Sequence, residues 1–328
     1  MTPRPTVIGT RGSRLALAQS ELVATSLRRC HPGLALRLEI VSTEGDRITA
    51  GPLPSWGRGV FVRDIETALL HGEIDLAVHS MKDIPPLTPE GLAILAVPRR
   101  VDPGDVLVTV DGRELDDLPA GARVGTSSLR RAAFLRAYRA DLRIVPVRGN
   151  VDTRWRKLLD PSQGFDAIIL AAAGLERLEL AGVRRVPIPF DVLLPAPGQG
   201  ALALEGRASD AYHREVAAGI GDVASGAAVA AERRLVRDLD SGCRLPVAAL
   251  ATPGVDGTLR LEAAVAAPDG SNALREGASG HMDDPHALGQ AVARRLLDRG
   301  AADLLAQAHS ASTVDSPFPV APPAEAAR

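Results

Sequence analysis

Two stretches of this chain, far apart in sequence, run through the same order of elements, and that repetition limits the folds open to it. In the first, Thr6-Val7-Ile8-Gly9 reads as a short apolar strand that turns through Thr10-Arg11-Gly12-Ser13 into a helix from Arg14 to Arg29. Leu15, Ala18, Leu22 and Leu27 recur there at helical spacing, and Ser13 suits the N-cap because its hydroxyl can accept from a free N–H of the first turn. A strand over Leu36–Ser42, a Gly/Pro-rich loop over 45–59, a helix over Val60–His71 and a strand over Ile74–His79 follow, ending at Ser80-Met81-Lys82-Asp83. The second stretch repeats this. Val124-Gly125 is a strand, Thr126-Ser127-Ser128 a cap, and Leu129–Ala140 a helix; Ile144–Val147 is a strand ending at Arg148-Gly149-Asn150, Asp152–Leu159 a helix, and Phe165–Leu170 a buried strand. Strands alternating with helices predict a parallel sheet, so the expectation is two α/β lobes of related design with a cleft between them.

The Pro/Gly-rich run Pro187–Gly200 reads as a crossover between bodies. A third unit begins near Asp222, with a helix over Ala227–Leu239 that Gly242 could cap, a strand over Leu259–Ala266 and a helix over Pro285–Ala306. This predicts a small α+β domain, followed by a Pro/Ala/Ser-rich tail expected to be disordered. The boundaries expected are 4–99 with 200–217 for lobe 1, 104–194 for lobe 2, 222–310 for the α+β domain and 311–328 for the tail. A length of 328 residues accommodates that many cores of ~100–150 residues.

With 24% charged residues and a net charge of −2, the chain has neither the excess charge of a disordered protein nor the basicity of a general nucleic-acid binder; at 3% aromatic it offers few platforms for stacking bases. No apolar run is long enough for a signal peptide or a membrane span, and the two cysteines, Cys30 and Cys243, do not make a disulfide scaffold. The expected compartment is the cytoplasm. Of 38 basic residues only Lys82 and Lys157 are lysines.

The polar residues fall where a ligand would be. Arg11 and Ser13, Ser80 to Asp83, Thr126-Ser127-Ser128 with Arg130-Arg131, and Arg148 with Arg154 all lie just past predicted strands, the end of an open parallel sheet where ligands bind. Hydroxyls and free N–H groups at a helix start attract anions, and guanidinium forks match carboxylates. A solvated surface explains any one of these arginines but explains the set poorly. Asp83, an acid among cations, works against anion binding and so implies another purpose: steadying positive charge or handling a proton on a leaving group. A structural Lys82–Asp83 pair is the alternative. Cys243 sits in a Gly-flanked turn beside Arg244, a setting that favours thiolate chemistry. A small buried thiol is the alternative there, and the better reading of Cys30. No metal-ligand spacing, phosphate loop or dinucleotide fingerprint is present.

Several of these segments resemble the porphobilinogen deaminase (hydroxymethylbilane synthase) family: Ile8-Gly9-Thr10-Arg11-Gly12-Ser13-Arg14-Leu15-Ala16, His79-Ser80-Met81-Lys82-Asp83-Ile84-Pro85, Val124-Gly125-Thr126-Ser127-Ser128-Leu129-Arg130-Arg131, Val147-Arg148-Gly149-Asn150-Val151-Asp152-Thr153-Arg154, Ala172-Ala173-Gly174-Leu175-Glu176-Arg177 and Leu194-Pro195-Ala196-Pro197-Gly198-Gln199-Gly200. The likeness runs in order from about residue 6 to 310. It implies two periplasmic-binding-protein-like α/β lobes plus a small α+β C-terminal domain. By the same resemblance Cys243 carries a dipyrromethane primer as a thioether, Lys82, Asp83, Ser128, Arg130 and Arg131 hold that primer, and Asp83 is catalytic. Arg11, Ser13, Thr126, Ser127, Arg148, Arg154, Arg177 and Gln199 are implied as substrate-binding. The implied reaction joins four porphobilinogen molecules head to tail, with loss of ammonia, into hydroxymethylbilane, by a monomer that uses no metal and binds neither nucleic acid nor membrane. Glu44, Arg58 and Ser241 depart from the residues common in the family. The rival reading is a two-lobed binding module for a carboxylate ligand, without catalysis.

Overall fold

A computed structural model describes residues 5–43, 62–180, 182–240 and 245–313. Lobe 1 starts with β1 (Thr6–Thr10), α1 (Arg14–Cys30), β2 (Leu36–Ile40), α2 (Arg63–Leu70), β3 (Leu76–Ser80) and β4 (Leu92–Ala96). Lobe 2 comprises β5 (Asp105–Val108), β6 (Arg123–Gly125), α3 (Leu129–Tyr138), β7 (Arg143–Val145), α4 (Val151–Leu159), β8 (Ala167–Ala171), α5 (Ala172–Arg177) and β9 (Arg185–Pro187). The chain then returns to lobe 1 as β10 (Leu202–Arg207) and α6 (Ala211–Ala218). Its last part is α7 (Val223–Asp238), β11 (Val247–Pro253), β12 (Thr258–Ala266), β13 (Ala273–His281), α8 (Pro285–Asp298) and α9 (Ala301–Thr313).

The repetition seen in the sequence is a repetition of topology. The sheet orders are β2-β1-β3-β10-β4 and β7-β6-β8-β5-β9, so the strands correspond one to one. Four strands of each five-stranded sheet run the same way, as expected of a parallel sheet, but one is reversed: β10 lies antiparallel between β3 and β4, and β5 antiparallel between β8 and β9. The reason is connectivity. A strand reached through a helical crossover is held parallel. Strands β5 and β10 arrive instead from the opposite lobe, so each lobe is completed by chain that has just crossed over.

Helix starts follow their caps. The Ser13 hydroxyl accepts from Ala16 N at 3.2 Å and that of Ser128 from Arg131 N at 3.4 Å. Helix α7 begins at Val223, ahead of the expected Ala227, because the Asp222 carboxylate caps it through Ser225 N at 2.7 Å. It ends at Asp238, with Leu239 as cap residue and Asp240 at φ 48°; Gly242, the expected cap, lies outside the described residues. The single helix expected over Pro285–Ala306 is two, α8 and α9, broken where Gly300 takes φ 93°. Helix α9 runs to Thr313, past the start expected for the tail, and the rest of that expected tail lies outside the described residues. Cys30, expected to be buried, ends α1 at the surface, with Sγ 3.2 Å from Gly219 O.

The antiparallel sheet β11-β12-β13 packs on two sides. Ala249, Ala251, Leu259, Leu261 and Val265 join the core beneath α7, α8 and α9, while Ala248, Ala264 and Ala266, alternating with them, join the core of lobe 2. Val229 of α7 packs with Met81, Ile84, Ala201 and Ala203 of lobe 1. The third domain therefore contacts both lobes. Among the described residues, no helix is long and apolar enough to cross a membrane.

Candidate functional site

In lobe 1 the site begins where β3 stops. Gln19 of α1 ties down that end, its Nε2 donating to Ser80 Oγ at 3.0 Å. The chain then makes one 3₁₀ turn, Met81–Asp83, anchored by Met81, which is 2% exposed. This turn leaves Lys82 half-buried, donating to Gln199 Oε1 at 3.2 Å, and leaves Asp83 exposed with no hydrogen bond or ion pair from the described residues. Its carboxylate is therefore available to a ligand.

Lobe 2 supplies the opposite wall. Thr126 is buried past the end of β6, with Oγ1 accepting from Ser128 N at 3.2 Å, and Ser127 Oγ donates to Val147 O at 2.8 Å. The first turn of α3 carries Arg130 and Arg131 inward onto Asp105, a residue the sequence reading passed over. Arg130 donates to Asp105 Oδ2 at 2.6 Å and Arg131 to Oδ1 at 2.7 Å. Arg130 also reaches Leu194 O at 2.5 Å, and Arg131 reaches Ile169 O at 2.8 Å. Burial alone would push the Asp105 carboxyl up; the two guanidiniums and a hydrogen bond from Gln199 outweigh it and hold the carboxyl well below the usual range. The one available signal in the sequence was an acid opening an otherwise apolar run, Asp105-Val106-Leu107-Val108.

The cations share one field. Burial first, and then Arg131, push Lys82 down to about 8, with Arg130 adding to this and Asp83 and Asp105 opposing it. Arg154 is pushed down to about 10 by burial and Arg131 against Asp83, and Arg177 to about 10 by burial against Glu176. Arg154 and Asp83, from different lobes, thus lie in reach of one another's charge. Arg154 is steadied by Gly149 O at 2.8 Å, and Arg177 bridges to the crossover through Gly200 O at 2.7 Å. Arg11 and Ser13 follow β1, and Arg148 is exposed near the start of α4. Gln199 is 1% exposed, with its amide committed to protein partners. Cys243, with Ser241, lies outside the described residues, as do Glu44 and Arg58.

A second buried acid joins the third domain to the crossovers. Glu232 of α7 accepts from Arg100 at 2.6 Å, Gly198 N at 2.6 Å and Ala251 N at 2.7 Å. Between the lobes and this domain opens a cavity lined by Lys82, Ser128, Arg130, Arg233, Leu245 and Val247. Leu245 stands two residues beyond Cys243. Four cations, Lys82, Arg130, Arg131 and Arg154, face two acids, Asp83 and Asp105, and the buried Arg130 Nε has no hydrogen-bond partner among the described residues. Such a site has donors to spare for carboxylates, and its apolar side suits the rings that would carry them. Among the described residues no cluster of His, Cys, Asp and Glu could hold a metal ion.

Fold and site together define a two-lobed α/β protein with cations of both lobes gathered in one field and a third domain packed against both lobes. Residues 6–215 match the family model described as the porphobilinogen deaminase dipyromethane cofactor binding domain, and residues 227–298 match that of the porphobilinogen deaminase C-terminal domain. The porphobilinogen deaminase of Desulforudis audaxviator (strain MP104C) is 51% identical over 306 residues, covering 93% of this chain and 98% of that one. That of Brevibacillus brevis (strain 47) is 46% identical over 301 residues, covering 92% and 96%, and that of Moorella thermoacetica is 48% identical over 306 residues, covering 93% and 97%. The chain belongs to the porphobilinogen deaminase family.

Proposed function

We propose that the chain polymerises four porphobilinogen molecules head to tail into hydroxymethylbilane, releasing ammonia at each addition, as a cytoplasmic monomer that binds neither nucleic acid nor membrane. The observation that carries this reading is the surplus of buried and half-buried cations around one open carboxylate. Each pyrrole brings two carboxylates, so substrate and product are polyanions that Lys82, Arg130, Arg131 and Arg154 can neutralise out of bulk water, where each ion pair is stronger. Arg11, Ser13, Thr126, Ser127, Arg148 and Arg177 extend the same set along the cleft. The proposed division into 4–99 with 200–217, 104–194 and 222–310 rests on sheet membership.

A dipyrromethane bound through Cys243 would supply the nucleophilic ring that accepts each new unit. Lys82, Ser128, Arg130 and Arg131 would hold its carboxylates; Leu245 and Val247 would shelter its rings from water. Asp83, exposed and without a hydrogen bond from the described residues, would stabilise the positive charge that develops as ammonia leaves the substrate, and would steady the pyrrole N–H. In this role the carboxylate meets a charge present only during reaction, so its effect falls on turnover more than on binding.

The test is the intact mass of the purified protein beside Cys243→Ser and Asp83→Asn. The reading expects two linked pyrrole units of added mass on the wild type, none on Cys243→Ser, and a turnover about 10²–10³-fold lower for Asp83→Asn. A wild type that stays unmodified after incubation with porphobilinogen would leave a carboxylate binder without catalysis.

A further inference from the structure

Gln199 lies where the two crossovers between the lobes meet. Its neighbours Gly198 and Gly200 take φ 75° and 85°, and neither could carry a side chain: a Cβ on Gly198 would stand 2.7 Å from Met81 Cγ, and one on Gly200 2.6 Å from Val101 O. The glycines press Gln199 between the turn that carries Lys82 and the outgoing crossover. Its Nε2 donates to Asp105 Oδ1 at 2.9 Å and Pro103 O at 2.7 Å, while Oε1 accepts from Lys82 at 3.2 Å. The surroundings fix the orientation of the amide. Reversed, it would set N–H against an ammonium and oxygen against a carboxylate, unfavourable at both ends.

We propose that Gln199 is a positioning residue: its amide links the Lys82 ammonium of lobe 1 to the Asp105–Arg130–Arg131 cluster of lobe 2, so that the lobes offer their cations to one polycarboxylate as a single set. This rests on the reading of the cleft given above, and it replaces the substrate contact that the resemblance implies for Gln199. The residue has neither a spare donor aimed at the cleft nor exposed surface. The groups facing Lys82 are Arg131 and Arg130, which oppose its charge, and Asp83 and Asp105, which favour it. An acceptor on the ammonium adds to the favouring side, so removing it should lower the pH at which Lys82 loses its proton.

The chain has only two lysines, which makes the measurement direct. Protein labelled with ¹³C and ¹⁵N in lysine is titrated by NMR, with Lys157→Arg assigning the signals. In Gln199→Met, similar in size but without the amide, the Lys82 midpoint should fall by about one unit, and KM for porphobilinogen should rise about tenfold with kcat changed less than about twofold. In Gln199→Glu, which keeps the acceptor and adds charge, the midpoint should move upward instead. General loosening of the fold would not give shifts of opposite sign. Midpoints that stay at the wild-type value in both variants, or a KM that stays put while the midpoint moves, would overturn the proposal. If the midpoints shift but the wild type consumes no porphobilinogen, the positioning role stands and the enzymatic reading falls.

Discussion

In lobe 2 the fourth strand carries Asp105, wholly buried and met by two guanidiniums; in lobe 1 the fourth strand carries Glu205, equally buried and met by none among the described residues. Among the described residues both carboxylate oxygens of Glu205 lack a hydrogen bond, and its ion-pair contact is His79, with Nε2 at 3.1 Å from Oε2. Glu66 of α2 adds a second acid nearby; burial and then Glu205 push it up to about 7, against His79 and Arg63. Register explains the contrast. Asp105 opens β5 and pairs with Ala171, the last residue of β8, so it stands at the cleft where α3 delivers its arginines. Glu205 pairs with Ala77 in mid-strand, away from the mouth. A buried acid serves the ligand site only if the sheet places it at the strand ends.

The largest effect should come from Asp105→Asn, which leaves two buried arginines without a counter-charge. It should lower unfolding free energy by about 3–5 kcal/mol in denaturant titration. A loss below about 1 kcal/mol would mean that the arginines find other partners, and the contrast between lobes would dissolve. Glu66→Gln should act in the other direction. A carboxyl whose folded value is raised, from 4.5 to about 7, favours the fold below 4.5 and loses that advantage as pH rises through 7. The variant should therefore be about 2–3 kcal/mol more stable than the wild type at pH 8 and no different near pH 4. Equal stability at pH 8 would show that Glu66 ionises without penalty. The smallest effect tests what the lobes share: Ser13→Ala and Ser128→Ala each remove an N-cap and should each cost about 1 kcal/mol in thermal unfolding. Unequal losses would show that one serine has a further partner.

Much of this was legible in the chain because it is local. Ser13 and Ser128 cap the helices expected of them, and Lys82, Asp83, Arg130, Arg131 and Arg154 share one electrostatic neighbourhood across the lobes. Asp105 was missed because nothing in its immediate sequence shows which cations will reach it. The break at Gly300 was missed because the apolar spacing of α8 and α9 continues across it.

The sequence by itself determined the order of elements, the duplication of the lobe and the gathering of hydroxyls and arginines behind strands, since each depends on a few neighbouring residues. Tertiary structure alone decided that β5 and β10 run antiparallel to their neighbours, that Asp105 pairs with both Arg130 and Arg131 while Glu205 meets neither, and that Gln199 bridges Lys82 to Asp105. Those contacts join residues far apart in the chain. Whether such charges meet depends on register and on the path of the crossovers, which local periodicity does not encode.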